Sequence, residues 1–77
     1  LDLILQDGEV LVFVEVKKRA KSDFGGALAA LTPAKQRKIL HAAQIYLLRW
    51  RAPPACRIDV LTIEDEQIAW FKNAISL

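Results

Sequence analysis

The sequence predicts an α/β fold built on a mixed sheet, and three features carry that prediction. Asp7-Gly8 separates two apolar runs, the strongest short-range signal for a β-hairpin. One long stretch of helical periodicity follows, opened by Thr32-Pro33 as N-cap and first helical position and stopped by Pro53-Pro54. Two further β-rich runs come after it, so a strand, a helix and a strand stand in succession. That order asks for a right-handed crossover, with the third strand parallel to the second and the helix on one face.

The first element is the hairpin. A two-residue type I′ turn at Asp7-Gly8 pairs Gln6 with Glu9, Leu5 with Val10, Leu3 with Val12, Asp2 with Phe13 and Leu1 with Val14. Directly opposed residues share a face, and so do alternate residues of one strand. Asp2 then lies on the face of Phe13, Glu15 and Lys17, with Glu15 its diagonal neighbour at roughly 7–8 Å. A slip of one residue would send Asp2 to the other face. The strand Val10–Lys17 is apolar until Glu15 and Lys17, which makes its end locally inconsistent with its body. Two readings stand side by side: a structural ion pair at a strand end with Asp2 solvated, or two carboxylates and an ammonium converging on one ion.

Lys18-Arg19-Ala20-Lys21 opens a basic loop that runs to Gly25-Gly26. Lys18, Arg19 and Lys21 can hold phosphates or form an ordinary solvated surface; no Gly-Lys-Ser/Thr closes the glycine run, which excludes a Walker-type nucleotide loop. The helix is expected to run to about Arg51, with Gln36, Ile39, Leu40, Ala43, Tyr46, Leu47 and Trp50 on the side facing the sheet. Gln36 is the polar exception on that side, flanked by Lys35 and Lys38, and is read as a fourth site group or as a capping residue. His41 has no second His or Cys at metal spacing and belongs to the solvent face; Ile45 and Leu48 are apolar intruders there that mark a contact surface. Arg57–Ile63 is the third strand, Glu64–Gln67 a polar turn and Ile68–Phe71 the fourth strand. Arg57 and Asp59 share a face, for which an ion pair is the default reading.

Composition narrows the function classes. The 77 residues suit one small domain, and 53% hydrophobic with 26% charged residues is a globular balance. A net charge of +2 permits a polyanionic partner without demanding one. The lone Cys56 excludes an internal disulfide or a Cys-rich zinc site and suits a reducing cytoplasm. No signal peptide or apolar stretch of spanning length occurs, so no membrane partner is expected. The hairpin is apolar on both faces, Leu1, Leu3, Leu5, Val10, Val12 and Val14 on one and Ile4, Leu11 and Phe13 on the other. One helix covers one face. The second cover is expected from an upstream segment or from a partner chain, including a second copy, and the chain is read as a portion of a larger domain.

Asp2, the hairpin and Glu15-Val16-Lys17 together resemble the active-site signature of the PD-(D/E)xK nuclease superfamily. The chain as a whole resembles the YraN family of bacterial proteins, nuclease-like by fold. The residues that carry this are Leu1-Asp2-Leu3-Ile4, Asp7-Gly8, Leu11-Val12-Phe13-Val14-Glu15-Val16-Lys17, Phe24-Gly25-Gly26-Ala27, Lys35-Gln36, Ala43, Tyr46-Leu47, Arg57-Ile58-Asp59-Val60 and Asn73-Ala74. The resemblance implies a restriction-endonuclease-like core over residues 1–77. This would be the C-terminal portion of a nuclease-like domain, without the family's first helix, first strand and the Gly-Glu pair before the motif Asp. It also implies Mg2+ or Mn2+ held by Asp2, Glu15 and the Val16 carbonyl, with Lys17 and Gln36 as the remaining catalytic groups. Lys18, Arg19, Lys21, Lys35 and Lys38 would then hold the backbone of a nucleic acid, DNA by preference, in a bacterial cytoplasm. Two other classes fit the same residues: a nucleic-acid-binding module that does not cleave, and an interaction domain docking through Ile45 and Leu48.

Overall fold

The computed structural model describes residues 1–20 and 25–77. Its elements are β1 (Leu3–Asp7), β2 (Val10–Arg19), a 3-10 turn (Ala27–Ala30), α1 (Pro33–Leu47), β3 (Cys56–Glu64) and β4 (Gln67–Ile75). The four strands form one sheet in the order β1-β2-β3-β4. β2 and β3 are parallel, and both outer pairs are antiparallel. The mixed α/β architecture expected from the sequence is the one observed.

The hairpin is displaced from its expected register. Asp7 pairs with Val10, Leu5 with Val12 and Leu3 with Val14, so every β1 residue lies two positions further along β2. The cause is the turn. Gly8, at φ +61°, is its first central residue, and neither Asp7 nor Glu9 has a positive φ. A glycine at the first central position is the type II′ arrangement, whereas the expected type I′ turn needs positive φ at both. A displacement of two preserves the faces, so the assignment of side chains to the two sides of the sheet survives.

The helix takes its start as expected. Thr32 is the N-cap, its hydroxyl accepting from the Lys35 N–H at 3.3 Å. It ends at Leu47, one turn before the expected stop, because the chain tightens: the N–H groups of Leu48, Arg49 and Trp50 donate to the carbonyls three residues back at 3.2–3.3 Å. Trp50 therefore leaves the helix and is exposed. Ile39 and Ala43 are buried against Phe13, Ile58, Val60 and Ile75, and Leu40, Tyr46 and Leu47 flank that core. The Phe13 ring meets Tyr46 edge-on at 5.6 Å. β3 and β4 are longer than expected and join through a two-residue turn, Asp65-Glu66, with Asp65 at φ 54°. All of β1 is exposed, including Leu3, Ile4 and Leu5. Among the described residues no helix is long and apolar enough to cross a membrane.

Candidate functional site

β2 carries Glu15 and Lys17 out of the core, and α1 begins beside them. Between the two lies an open cleft of about 340 Å³, lined by Leu1, Glu15, Lys17, Lys35, Lys38, Ile39 and Ala42. Alternation along β2 puts Glu15 and Lys17 on the helix side with Phe13, and helical spacing of three puts Lys35 and Lys38 on one side of α1. The Lys17 Nζ lies 3.0 Å from Glu15 Oε2, with both side chains largely buried. The Leu1 nitrogen stands 4.0 Å from Glu15 Oε1. Three lysines and one carboxylate thus share a single concavity, a strongly cationic balance.

Asp2 sits at the rim. Its N–H donates to the Val14 carbonyl at 3.1 Å, and its Oδ2 accepts from the Val16 N–H at 2.8 Å. The register displacement is what brings it there: β1 ends just short of Glu15, and the Asp2 carboxylate occupies a bonding position that a further strand residue would otherwise take. The N–H and C=O of a strand residue that pairs across an antiparallel ladder point to the same neighbour, so the Val16 carbonyl shares the side on which Asp2 lies.

The other expected site residues divide. Gln36 is half-buried and does not line the cleft; its Nε2 donates to the Leu31 carbonyl at 3.0 Å, where it ties the entry loop to the first turns of α1. Lys18 and Arg19 are exposed at the end of β2. Lys21 lies outside the described residues. Among the described residues no three His, Cys, Asp or Glu side chains come together as a metal cluster. His41 is exposed on the outer face of α1.

A second polar centre lies on the opposite side of the sheet. Asp59 is fully buried at the middle of β3, and its carboxylate accepts from Arg57 Nε at 3.0 and 3.2 Å, from Trp70 Nε1 at 2.7 Å and from the Asn73 N–H at 2.9 Å. Arg57 reaches on to Asp7 at 3.1 Å. Burial alone would push the Asp59 carboxyl up; the Asn73 N–H, the Trp70 indole and Arg57 outweigh it and hold it below the usual carboxylate range. The Arg57–Asp59 pair is the default reading borne out. The Trp70 and Asn73 donors were not legible from spacing, although a Trp on a strand next to a buried carboxylate is a signal, since a buried indole N–H needs an acceptor.

Known proteins similar to this chain include the UPF0102 protein of Herminiimonas arsenicoxydans, 53% identical over 75 residues that cover 97% of this chain and 60% of that protein. The UPF0102 protein of Janthinobacterium sp. (strain Marseille) is 52% identical over 75 residues, covering 97% and 61%. That of Dechloromonas aromatica (strain RCB) is 51% identical over 76 residues, covering 99% and 62%. The chain therefore spans about three fifths of the length of these relatives. No solved structure matches it. A family model described as Uncharacterised protein family UPF0102 matches residues 1–63, and with relatives this similar along nearly the whole chain, the chain belongs to that family, UPF0102 (YraN).

Proposed function

We propose that this chain is the C-terminal portion of a restriction-endonuclease-like domain that hydrolyses phosphodiester bonds in nucleic acid, DNA by preference, with Mg2+ or Mn2+. The observation that supports it is the cleft in which Glu15, Lys17, Lys35 and Lys38 meet, with Asp2 one backbone bond away at Val16. Two hard carboxylates and a neighbouring carbonyl fit a small divalent ion that keeps water and phosphate oxygens in its remaining positions. Asp2, Glu15 and the Val16 carbonyl would hold it. When bound, such an ion polarises a phosphoryl oxygen and lowers the pKa of its water. Lys35 and Lys38 hold the phosphates on either side of the scissile bond as point charges, across the cleft from β2. Lys17, held by Glu15 at 3.0 Å, faces the charge that develops on the phosphoryl oxygens. Gln36 acts by fixing the entry to α1, and with it the placement of Lys35 and Lys38. The test is a calorimetric titration with Mn2+ beside a cleavage assay on single-stranded, duplex and branched DNA, using a full-length relative-sized protein. One Mn2+ site lost in Glu15→Ala, together with metal-dependent cleavage, is the expected result. Unchanged Mn2+ binding in that variant would refute the assignment.

One observation favours a second reading, a module that binds nucleic acid without cutting it. Both carboxylates are already engaged, Glu15 by Lys17 and Asp2 by the Val16 N–H, which leaves the cleft a net cation without any metal. Salt-sensitive binding that persists in EDTA, with no turnover under any metal, identifies this case.

A further inference from the structure

The hairpin of β1 and β2 has two registers that keep the same side chains on the same faces, because a displacement of two residues preserves alternation. The apolar pattern therefore does not choose between them. Local turn chemistry favours the register that is not observed, since Asp7-Gly8 is the stronger turn centre, and a glycine of positive φ serves either as second residue of a type I′ turn or as first of a type II′ turn. Yet Asp7 is drawn out of the turn to pair with Val10. We propose that Arg57 is the positioning residue that selects this register, by holding Asp7 from the far side of β2, and that it thereby sets the Asp2 carboxylate on the Val16 N–H in the candidate site.

The contacts run from a buried charge to the site. Asp59 is fully buried in β3 and accepts from Arg57 Nε at 3.0 and 3.2 Å. With that edge of the guanidinium fixed, Nη1 reaches across β2 and meets Asp7 Oδ2 at 3.1 Å. A planar fork already set by one carboxylate loses little freedom in bonding a second. Arg57 stands beside Val12 in the parallel ladder, and Asp7 stands opposite Val10 on the same face. Sliding β1 into the other register would put Leu5 opposite Val10 and carry Asp7 two residues into the turn, roughly 6–7 Å further from Arg57. The ion pair would be lost. At the other end of β1 the same slide would move Asp2 opposite Phe13 and break both of its bonds, from the Val16 N–H at 2.8 Å and to the Val14 carbonyl at 3.1 Å. One pair beside the turn thus fixes where a carboxylate lies at the opposite end of the strand. Arg57 is on the sheet face opposite the cleft, so it acts on the site through β1. The inference rests on the nuclease reading in one respect: as a ligand to the divalent ion, Asp2 has to stand next to Glu15.

The experiment uses the full-length protein without metal and reads the register by NMR, with saturation-transfer detection of a minor form. Close α-proton pairs Gln6–Leu11 and Ile4–Phe13 mark the observed register, and Leu5–Val10 and Leu3–Val12 mark the other. Arg57→Met should raise the population of the second register about tenfold, the weight of one charge-assisted hydrogen bond. The contact of the Val16 amide with the Asp2 side chain should fade to match, and Mn2+ affinity should fall in proportion to the fraction of molecules that leave the observed register. Asp7→Asn keeps the buried Arg57–Asp59 pair and strengthens the type I′ centre, so it should shift the register the same way in a chain that folds normally. In the Arg57→Met background, Asp7→Thr should restore the observed register, because a β-branched residue resists the positive φ that a type I′ turn demands there. Mn2+ affinity should return with it while the melting temperature stays low, which a merely structural role for Arg57 does not predict. Arg57→Met and Asp7→Asn proteins that both keep the observed register alone would overturn the proposal, and so would an Asp7→Thr change that restores nothing. Absence of Mn2+ binding in the wild type would refute the nuclease reading instead, since the α-proton contacts test Arg57 without metal.

Discussion

Lys17 has no oxygen to offer a metal, and its ammonium rests on Glu15 at 3.0 Å, so removing it separates chemistry from ion binding. Under the proposed nuclease function, Lys17→Ala should leave Mn2+ affinity close to wild type while lowering cleavage per folded molecule about 10²–10³-fold, the usual effect of deleting one electrostatic stabiliser. An undiminished rate beside a lowered melting temperature would make Lys17 a structural partner only. Asp59 makes the complementary prediction, about stability and not rate. Its folded pKa is depressed, so the stability it contributes is present above the ordinary Asp value and is lost as pH falls through the folded value. Thermal melts should therefore decline steeply below about pH 4, the unfolded-state range of an aspartate. Asp59→Asn should melt lower at neutral pH and lose most of that acid slope. A wild-type slope retained in the variant would place the acid sensitivity elsewhere.

Among the elements, the 3-10 turn that precedes α1 is entered through a tight contact with β3. Gly26 sits at φ +65° with Glu64 against it, where a Cβ would collide with Glu64 Oε2, and the Ala27 N–H donates to the same oxygen at 3.4 Å. Gly26→Ala should destabilise by about 1–3 kcal/mol through the left-handed backbone it must keep. Glu64→Ala in that background should recover part of the loss, because the clash is with a flexible side chain and the backbone strain remains. Full additivity of the two changes in thermal melts would rule out the contact. Thr32→Ala removes the N-cap of α1 and should cost about 1 kcal/mol, near 4–8 °C in a domain of this size. These elements also show how far residue patterns reach. The helix start, the parallel crossover and the pairing of Arg57 with Asp59 follow from Thr32-Pro33, element order and spacing of two. The hairpin register did not, because Asp7-Gly8 and Gly8-Glu9 are both acceptable turn centres and only the backbone of Gly8 decides between them. The faces survived that error since the displacement was even, and so Glu15 and Lys17 were placed together correctly while Asp2 moved from a diagonal neighbour to a bond with Val16. Gln36 was legible as a polar residue needing a partner; that the partner is the Leu31 carbonyl depends on how the loop enters the helix, which spacing does not encode.

Taken whole, the sheet has two unlike edges. β4 carries Lys72 and a register irregularity opposite Ile58–Val60, with Asn73 at φ 51°, features that discourage another strand from pairing. β1 has no lysine, proline or bulge along Leu3–Asp7 and is exposed throughout. Together with Leu3 and Leu5 on one face and Ile4 on the other, this edge should drive association of the chain when it stands alone. Sedimentation across a wide concentration range should show mass above the monomer, and a stable monomer throughout would contradict it.

The parallel pairing of β2 with β3 also sets a tempo. Leu11 and Cys56 pair although 45 residues separate them, whereas both hairpins close through two-residue turns. Local hairpins form in microseconds, but the central seam must wait for a long loop to close before any of its hydrogen bonds repay that entropy. The exposed strands β1 and β4 can therefore be present before the middle of the sheet exists, and refolding should slow when α1, which spans the gap, loses its Thr32 cap.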